Sequence, residues 1–207
     1  MWVERAGDSA MSLADVTLSP VEVKDLAGLI ANKQRLTLTD ALRELGEHRL
    51  LCAHRDGPWG VGPWNDRVER WLAEASEHPG RQVVGRPLLV TTNDRGLGLY
   101  NGDTGVLALR ADHRVVGVFG EPDAPIVHAA STLGDVDTAH ALTIHKSQGS
   151  QARSVTVLLP DADSRLLTRE LLYTAITRAQ ESVTLVGSDA AVRAAVERRT
   201  QRATGLR

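Results

Sequence analysis

The chain has 207 residues, a formal net charge of −2 and 42% hydrophobic residues, which argues against a disordered chain and suffices for one medium core with a small satellite domain. Charges within residues 1–8 argue against a signal peptide, and no apolar run is long enough to span a bilayer, so we expect a cytoplasmic protein. The single cysteine, Cys52, lies in an apolar run and is expected in the core.

Helical and strand signals alternate along most of the chain, which is typical of an α/β layer domain. Thr39 or Asp40 is expected to cap the second helix, and Ser188 or Asp189 the last. In chain order, the predicted elements are helices at 20–31 and 37–45, a strand at 50–53, a helix from Gly62 to a stop at 78–80, strands at 87–92, 105–110, 115–119 and 154–159, a helix at 168–179, a strand at 182–187 and a helix at 189–199.

The segment 83–139 has a different character, with short β-like runs and no helical signal. Asn101-Gly102 and the tripeptide 111–113 are plausible hairpin turns between these runs. We therefore expect a small β-rich insert at 83–139, which divides the α/β domain into 1–82 and 140–207.

Two segments carry most of the functional information. Residues 141–151 read ALTIHKSQGSQ, and residues 172–180 read LYTAITRAQ. This pair resembles the fifth and sixth motifs of superfamily 1 DNA helicases. Residues 49–61 and 85–103 resemble the RecD branch in particular, the alpha subunit of exodeoxyribonuclease V. Four blocks in the family's order are a more specific signal than one short motif.

The resemblance implies a RecA-like second motor domain of the P-loop NTPase type, with an inserted SH3-like β-barrel at 83–139. The sequence contains no G-x-x-x-x-G-K-[ST] phosphate loop and no strand ending in paired acids for Mg²⁺. ATP and Mg²⁺ are therefore expected only jointly with a first motor domain, and we expect the isolated chain to be inactive.

The resemblance also assigns nucleotide contacts. Arg55 and Arg178 fall at the family's positions for reaching the γ-phosphate, where a guanidinium stabilises the charge that develops in the transition state. Gly149 and Gln151 fall in the nucleotide-binding part of the fifth motif, although many relatives have a glutamate at the position of Gln151. We expect these groups to converge on one cleft near the carboxyl ends of the strands.

Candidate DNA contacts lie in the same loop and in the insert. Trp59 is a candidate for base stacking, whereas Trp64 and Trp71 lie on the apolar stripe of their helix and are expected in the core. Residues 140–207 carry ten Lys and Arg residues against six Asp and Glu residues. This positive excess suits binding of the DNA backbone, but a solvated helix rich in arginine gives the same count. The expected single-stranded DNA contacts are Thr92, Asn93, Thr143, His145, Lys146 and Ser147.

Two hypotheses of different class follow. In the first, the chain is the carboxyl-terminal motor domain of a RecD-like, ATP-dependent helicase that moves 5′ to 3′ in recombination and repair. Its implied partners are the first motor domain, single-stranded DNA and, in a heterotrimer, RecB-like and RecC-like subunits. In the second, the chain is a truncated module that binds single-stranded DNA or RecB-like and RecC-like partners without hydrolysis. The histidines lack the spacing of a zinc site, and Asp161 with Asp163 does not form a nuclease centre.

Overall fold

The computed structural model of the chain describes residues 37–75 and 84–200. The predicted helix at 20–31 and the predicted helix stop at 78–80 lie outside these residues. The elements are α1 (Leu38–Leu45), β1 (His48–Cys52), α2 (Val61–Ala75), β2 (Pro87–Val90), β3 (Thr104–Leu109), β4 (Val115–Glu121), β5 (Ala124–Ala129), a 3₁₀ turn (Ala130–Thr132), β6 (Val136–Thr138), β7 (Ala141–Thr143), β8 (Ala152–Leu158), α3 (Arg169–Ile176), β9 (Ala179–Val186) and α4 (Asp189–Glu197).

A four-stranded parallel sheet forms the larger layer, in the order β7-β1-β8-β9. Side chains of β1 alternate between its two faces, because successive residues of a strand point to opposite sides. Leu51 packs under α3 and α4, whereas Cys52 packs with Trp64 of α2 on the other face. Trp64 and Cys52 are fully buried, so the prediction of both as core residues is confirmed. The α/β layer architecture is also confirmed.

Five strands form a second, antiparallel sheet in the order β5-β4-β3-β2-β6. All five strands lie within residues 83–139. Its classification as an SH3-like barrel remains a prediction. Strands β5 and β6 were not predicted from the sequence, since Pro125 argues against a strand at β5 and β6 has only three residues. The proline is tolerated because β5 is an edge strand that pairs only with β4.

Local hydrogen bonds determine where the helices begin. The Thr37 hydroxyl accepts from the Asp40 amide at 3.2 Å, and the Asp40 carboxylate accepts from the Thr37 amide at 3.2 Å. The residues form a capping box, so the predicted cap at Thr39 or Asp40 was wrong. Ser188 caps α4, which confirms one of the two caps predicted for this helix, Ser188 or Asp189.

Helix α1 packs on the antiparallel sheet rather than on the parallel one. Ala41 and Leu42 are buried against Val106 of β3 and Val116 of β4. The sequence division placed this helix with the parallel sheet, because an amphipathic pattern does not reveal which layer covers its apolar face. Within residues 37–75 and 84–200, no helix combines the length and apolar character needed to cross a membrane.

Candidate nucleotide and DNA interface

The β7–β8 loop, residues 144–151, begins at the carboxyl edge of the parallel sheet. The Ile144 amide donates to the Cys52 carbonyl at 3.0 Å, so the loop leaves the sheet level with the end of β1. The hydroxyl of Thr143 accepts from the Lys146 amide at 3.2 Å, and this bond closes the first turn of the loop. Thr143 therefore shapes the loop as well as offering a polar group.

His145 and Lys146 point outward from this turn and are exposed, as a contact to a DNA backbone requires. Ser147 differs, because it is only 1% exposed and its hydroxyl donates to the Ile144 carbonyl at 2.7 Å. This burial argues against the predicted DNA contact of Ser147. A serine in a polar motif looks available in the sequence, whereas here its hydroxyl satisfies a buried carbonyl.

The second half of the loop ends at the opposite edge of the sheet. Gly149 has φ +90°, a conformation that favours glycine, and the exposed Gln151 directly precedes β8. From Ala152 to Leu158 the strand rises about 20 Å, taking roughly 3.3 Å per residue. The loop therefore joins the carboxyl edge of the sheet, where His145 lies, to its amino edge.

Arg178 occupies the amino edge, directly before β9. Its Nε donates to the Thr174 carbonyl at 3.3 Å, its Nη1 to the Ser150 carbonyl at 3.4 Å and its Nη2 to the Thr177 hydroxyl at 3.3 Å. All three acceptors are neutral, and no carboxylate among residues 37–75 and 84–200 forms an ion pair with Arg178. The guanidinium is held in place while its charge remains uncompensated.

Gln151 and Arg178 lie side by side at this edge. The Gln151 amide nitrogen donates to the Thr177 carbonyl at 3.4 Å. The Ala152 amide donates to the Arg178 carbonyl at 2.9 Å, which continues the parallel pairing of β8 and β9 by one residue. The structure thus brings together the two predicted nucleotide contacts of the fifth and sixth motifs.

Three positioning groups were missed in the sequence. Ser150, Thr174 and Thr177 supply the acceptors that hold the guanidinium of Arg178. Thr177 had a signal, because its hydroxyl is a side-chain acceptor directly before Arg178. The Thr174 carbonyl had none, since it is a backbone atom. The Ser150 carbonyl had none, since any residue type supplies that atom.

Arg55 lies elsewhere. It is exposed in the loop that follows β1, three residues beyond the carboxyl end of that strand. The preceding His54 is bonded through Nε2 to the Ser164 hydroxyl at 2.9 Å, in the loop after β8. Arg55 and Arg178 therefore occupy opposite edges of the sheet, separated by more than about 20 Å along the strands. The expected convergence of the two arginines on one cleft is not found.

The Arg55 loop is held in a tight turn by its own backbone. The Gly62 amide donates to the Arg55 carbonyl at 3.0 Å. A Cβ at Gly60 would lie 2.5 Å from backbone atoms of Asp56 and 2.6 Å from the Arg55 carbonyl. Only glycine fits at position 60 without a shift of this turn.

Thr92 and Asn93 are exposed in the loop that follows β2 of the antiparallel sheet, where they line a cleft of about 480 Å³. None of the residues lining this cleft belongs to the β7–β8 loop. The Asn93 side-chain oxygen accepts from the Asn101 amide at 2.8 Å, so it orders the Asn101-Gly102 turn. The structure does not bring these two residues into one site with the motif loop.

Trp59 is only 7% exposed and packs with Leu50 and Trp64, so the prediction of a stacking surface was wrong. The flanking glycines and proline suggested an open loop, but the turn folds the indole under the sheet. Over the described ranges 37–75 and 84–200, no group of three or more His, Cys, Asp or Glu residues is arranged to hold a metal ion.

Comparison with known proteins agrees with the motifs. Residues 138–186 match the UvrD-like helicase C-terminal domain family. The chain is 60% identical over 169 residues to the RecBCD enzyme subunit RecD of Mycobacterium tuberculosis, an alignment that covers 81% of this chain and 29% of that protein. The chain is homologous to the carboxyl-terminal part of RecD. The predicted resemblance is confirmed.

This RecD-like chain is also 31% identical over 179 residues to the ATP-dependent RecD2 DNA helicase of Deinococcus radiodurans, covering 80% of the chain and 24% of that protein. The chain thus spans less than a third of the length of these relatives. Among solved structures, the Pif1 helicase from Bacteroides in complex with ADP-AlF3 and ssDNA aligns over 86% of this chain and 53% of its own, with 17% identity and a TM-score of 0.44.

Proposed function

We propose that the RecD-like chain is the second motor domain of an ATP-dependent 5′–3′ DNA helicase that acts in DNA recombination and repair. ATP with Mg²⁺ is held by the phosphate loop of a first motor domain, a motif that these 207 residues lack. The bound nucleotide supplies the phosphoryl group whose transfer to water drives movement. The chain alone therefore does not turn over ATP.

The observation that carries this proposal is the environment of Arg178. Its guanidinium is fixed by three neutral oxygens and has no ion-pair partner in the part of the chain that the structure describes. A pre-oriented, uncompensated guanidinium suits the charge that spreads over phosphoryl oxygens in the transition state. The three bonds are long, at 3.3 to 3.4 Å, so a phosphate oxygen competes with them easily. An arginine finger of this kind contributes about 10³ to 10⁵ in rate.

Gly149 and Gln151 form the second part of the nucleotide site. Gln151 lies beside Arg178 and is exposed, so its amide is available to a hydroxyl of the nucleotide. Gly149 lacks a side chain and allows the loop backbone to approach the ligand closely. The neutral amide replaces the glutamate of many relatives, and we propose that it keeps the hydrogen bond without the charge.

DNA contacts are proposed at the other end of the same loop. Thr143, His145 and Lys146 lie at the carboxyl edge, and only eight residues connect that edge to the nucleotide edge. A movement of the loop at one end is therefore transmitted to the other through a short, hydrogen-bonded segment. This geometry supports coupling between the nucleotide state and the hold on DNA. Thr92 and Asn93 are proposed as a second DNA contact on the antiparallel sheet.

The position of Arg55 supports a different role from that of Arg178. Its side chain is exposed on the carboxyl edge, where His145 and Lys146 lie. We therefore assign Arg55 to the DNA backbone rather than to the γ-phosphate. The role that the resemblance implies for it, as a second finger, is retained as the competing outcome of the test below.

The test is DNA-stimulated ATPase activity of the chain mixed with a separately expressed phosphate-loop domain of the same helicase family. Activity is expected only in the mixture, and Arg178→Ala is expected to lower kcat at saturating DNA. Arg193→Ala is the matched control, because Arg193 is exposed on α4 and lies outside the four motif segments. If Arg55 contacts DNA, Arg55→Ala raises the DNA concentration needed for half-maximal activity and leaves kcat unchanged.

The remaining outcomes are equally informative. A fall in kcat for Arg55→Ala as large as that for Arg178→Ala restores Arg55 as a second finger. ATPase activity of the chain alone, abolished by Arg178→Ala, contradicts the proposal of half a motor. Retained single-strand binding with no activity in any mixture supports the second candidate, a non-catalytic module that binds single-stranded DNA or RecB-like and RecC-like partners.

A further inference from the structure

Among the described residues, the backbone enters the antiparallel sheet at 84–86, before β2, and leaves it at 139–140, after β6; we call these two short segments the crossings. The first crossing enters β2 through Arg86, and the second leaves β6 toward β7 through residues 139–140. The Ala139 amide donates to the Pro87 carbonyl at 2.9 Å, which extends the antiparallel pairing of β2 with β6. The entry into β2 and the exit from β6 thus lie side by side at one end of the antiparallel sheet.

Helix α2 holds the second crossing through Asn65. The side-chain oxygen of Asn65 accepts from the Ala141 amide at 2.8 Å, and its amide nitrogen donates to the Thr138 carbonyl at 3.1 Å. A single side chain therefore satisfies backbone groups on both sides of residues 139–140.

One turn further along α2, Glu69 holds both crossings at once. Its Oε1 accepts from Arg86 Nε at 2.9 Å and its Oε2 accepts from Arg86 Nη2 at 2.8 Å, a bidentate pair. The same Oε1 lies 2.8 Å from His140 Nε2. The side chain of His140 is 9% exposed and those of Glu69 and Arg86 are 28% and 27% exposed, so water screens these contacts less than those of a surface pair.

The helix that carries Glu69 belongs to the parallel layer. Trp64 of α2 is fully buried against β1 and β8, which fixes the helix to that sheet. The partners of Glu69, in contrast, lie at the entrance and exit of the antiparallel sheet. We propose that Glu69 is a positioning residue that fixes the orientation of the antiparallel sheet relative to the parallel sheet.

Other contacts keep the two layers together when the hydrogen bonds of Glu69 to Arg86 and His140 are removed. Helix α1 packs its apolar face on β3 and β4, and the Gly46–Glu47 segment that follows it is bonded to the amino end of β8. Arg49 of β1 also donates to the Thr104 hydroxyl at 3.3 Å. Loss of Glu69 is therefore expected to loosen the angle between the sheets without separating them.

The orientation also sets the distance from the Thr92–Asn93 cleft to the β7–β8 loop. This consequence for DNA binding rests on the proposed function. The proposed role of Glu69 in fixing the orientation of the two sheets does not rest on that function, because the orientation can be measured as a distance within the free chain.

The test measures that distance with two spin labels on the full chain, at Asp123→Cys in the β4–β5 turn and Arg193→Cys on α4. Both sites are exposed, and the native Cys52 is buried and stays unlabelled. One narrow distance distribution is expected with Glu69 present. Glu69→Ala is expected to broaden the distribution or shift its maximum by several ångströms. Glu74→Ala, the same change at an exposed position of α2, is the matched control.

An unchanged distribution in folded Glu69→Ala overturns the proposal. If that variant does not fold, Arg86→Gln gives the same test, because it breaks the bidentate pair and keeps an amide donor at the crossing. A second label pair within the parallel layer, at Arg153→Cys in β8 and Arg193→Cys on α4, must keep its distance in the variants. If the distance distribution of that second pair also broadens, the whole fold has loosened, and this result also contradicts a specific role of Glu69 in the orientation of the sheets. Unchanged ATPase activity with a broadened distribution contradicts only the link to DNA.

Discussion

The guanidinium of Arg178 lies 3.4 Å from the carbonyl oxygen of Ser150, so the residue before β9 touches the end of the loop that precedes β8. This contact joins the fifth and sixth motifs at the amino edge of the parallel sheet. It is a weak contact between a cation and a neutral oxygen, and its geometry leaves the charge available to a ligand. The stability of the fold and the chemistry of Arg178 are therefore expected to be separable.

Arg178→Ala is expected to lower the free energy of unfolding by less than about 1 kcal/mol, since long hydrogen bonds of a half-buried side chain contribute little net stability. The backbone bond from the Ala152 amide to the carbonyl of residue 178 survives the substitution. Urea unfolding followed by circular dichroism measures the change. A loss of several kcal/mol would show that Arg178 is mainly a structural cap of α3.

Gly60→Ala is expected to destabilise the chain by about 1 to 3 kcal/mol, as overpacking of a tight site does. The new Cβ would lie 2.5 Å from backbone atoms of Asp56, so the Arg55 turn must shift. Gly62→Ala is the matched control, because a Cβ there meets only the Arg55 carbonyl at 3.6 Å, an ordinary contact. Thermal unfolding of the two variants, compared with wild type, checks this. Equal stability of the two contradicts the packing argument.

The regular layers of the fold follow from local patterns in the sequence, but the arrangement of the site does not. Apolar runs and helix caps predicted most strands and helices of the parallel layer to within three residues. Strands β5, β6 and β7 are three to six residues long and were missed, since so few positions establish no periodicity. Pairing across the sheet, which is remote in sequence, stabilises them.

The candidate site was predicted from motif residues, and two of its features required the fold. The direction of β9 puts Arg178 at the amino edge, whereas the sequence alone suggested that both arginines share one cleft. The burial of Ser147 depends on a carbonyl three residues earlier and on the strands around it. Motif matching identifies residue types that suit a ligand, but strand order decides which of them meet.

Cys52 is expected to resist alkylation in the native chain. Burial raises the pKa of its thiol to about 12, because the thiolate is poorly solvated in the core. Treatment with iodoacetamide at neutral pH should leave native Cys52 unmodified over hours and label it fully in denaturant. Mass spectrometry follows the modification. Rapid labelling without denaturant would mean that β1 opens readily, which contradicts its place in the middle of the sheet.

Lys146→Ala is expected to weaken single-stranded DNA binding and to reduce its salt dependence. One phosphate contact contributes about 0.7 to the slope of log K against log salt for a single strand, so the slope should become shallower by about that amount. Fluorescence anisotropy at several salt concentrations gives the slope, with Arg193→Ala as the control of equal charge change. If Lys146→Ala and Arg193→Ala weaken binding equally and leave the slope unchanged, Lys146 acts only through net charge.

The contribution of Glu69 to stability is expected to depend on pH. Partial burial raises the pKa of Glu69, but the hydrogen bonds and charges of Arg86 and His140 outweigh this and hold it below the usual range for a glutamate. A depressed folded-state pKa adds stability that is present above the unfolded-state pKa, about 4.3, and is lost as the pH falls through the folded-state value. Glu69→Gln should therefore be less stable than wild type at neutral pH, and the difference should shrink below about pH 4. Urea unfolding of both proteins from pH 7 to pH 3 measures this difference, and Glu74→Gln should show none. A difference that stays constant across this range would mean that the carboxylate charge of Glu69 does not hold the two crossings.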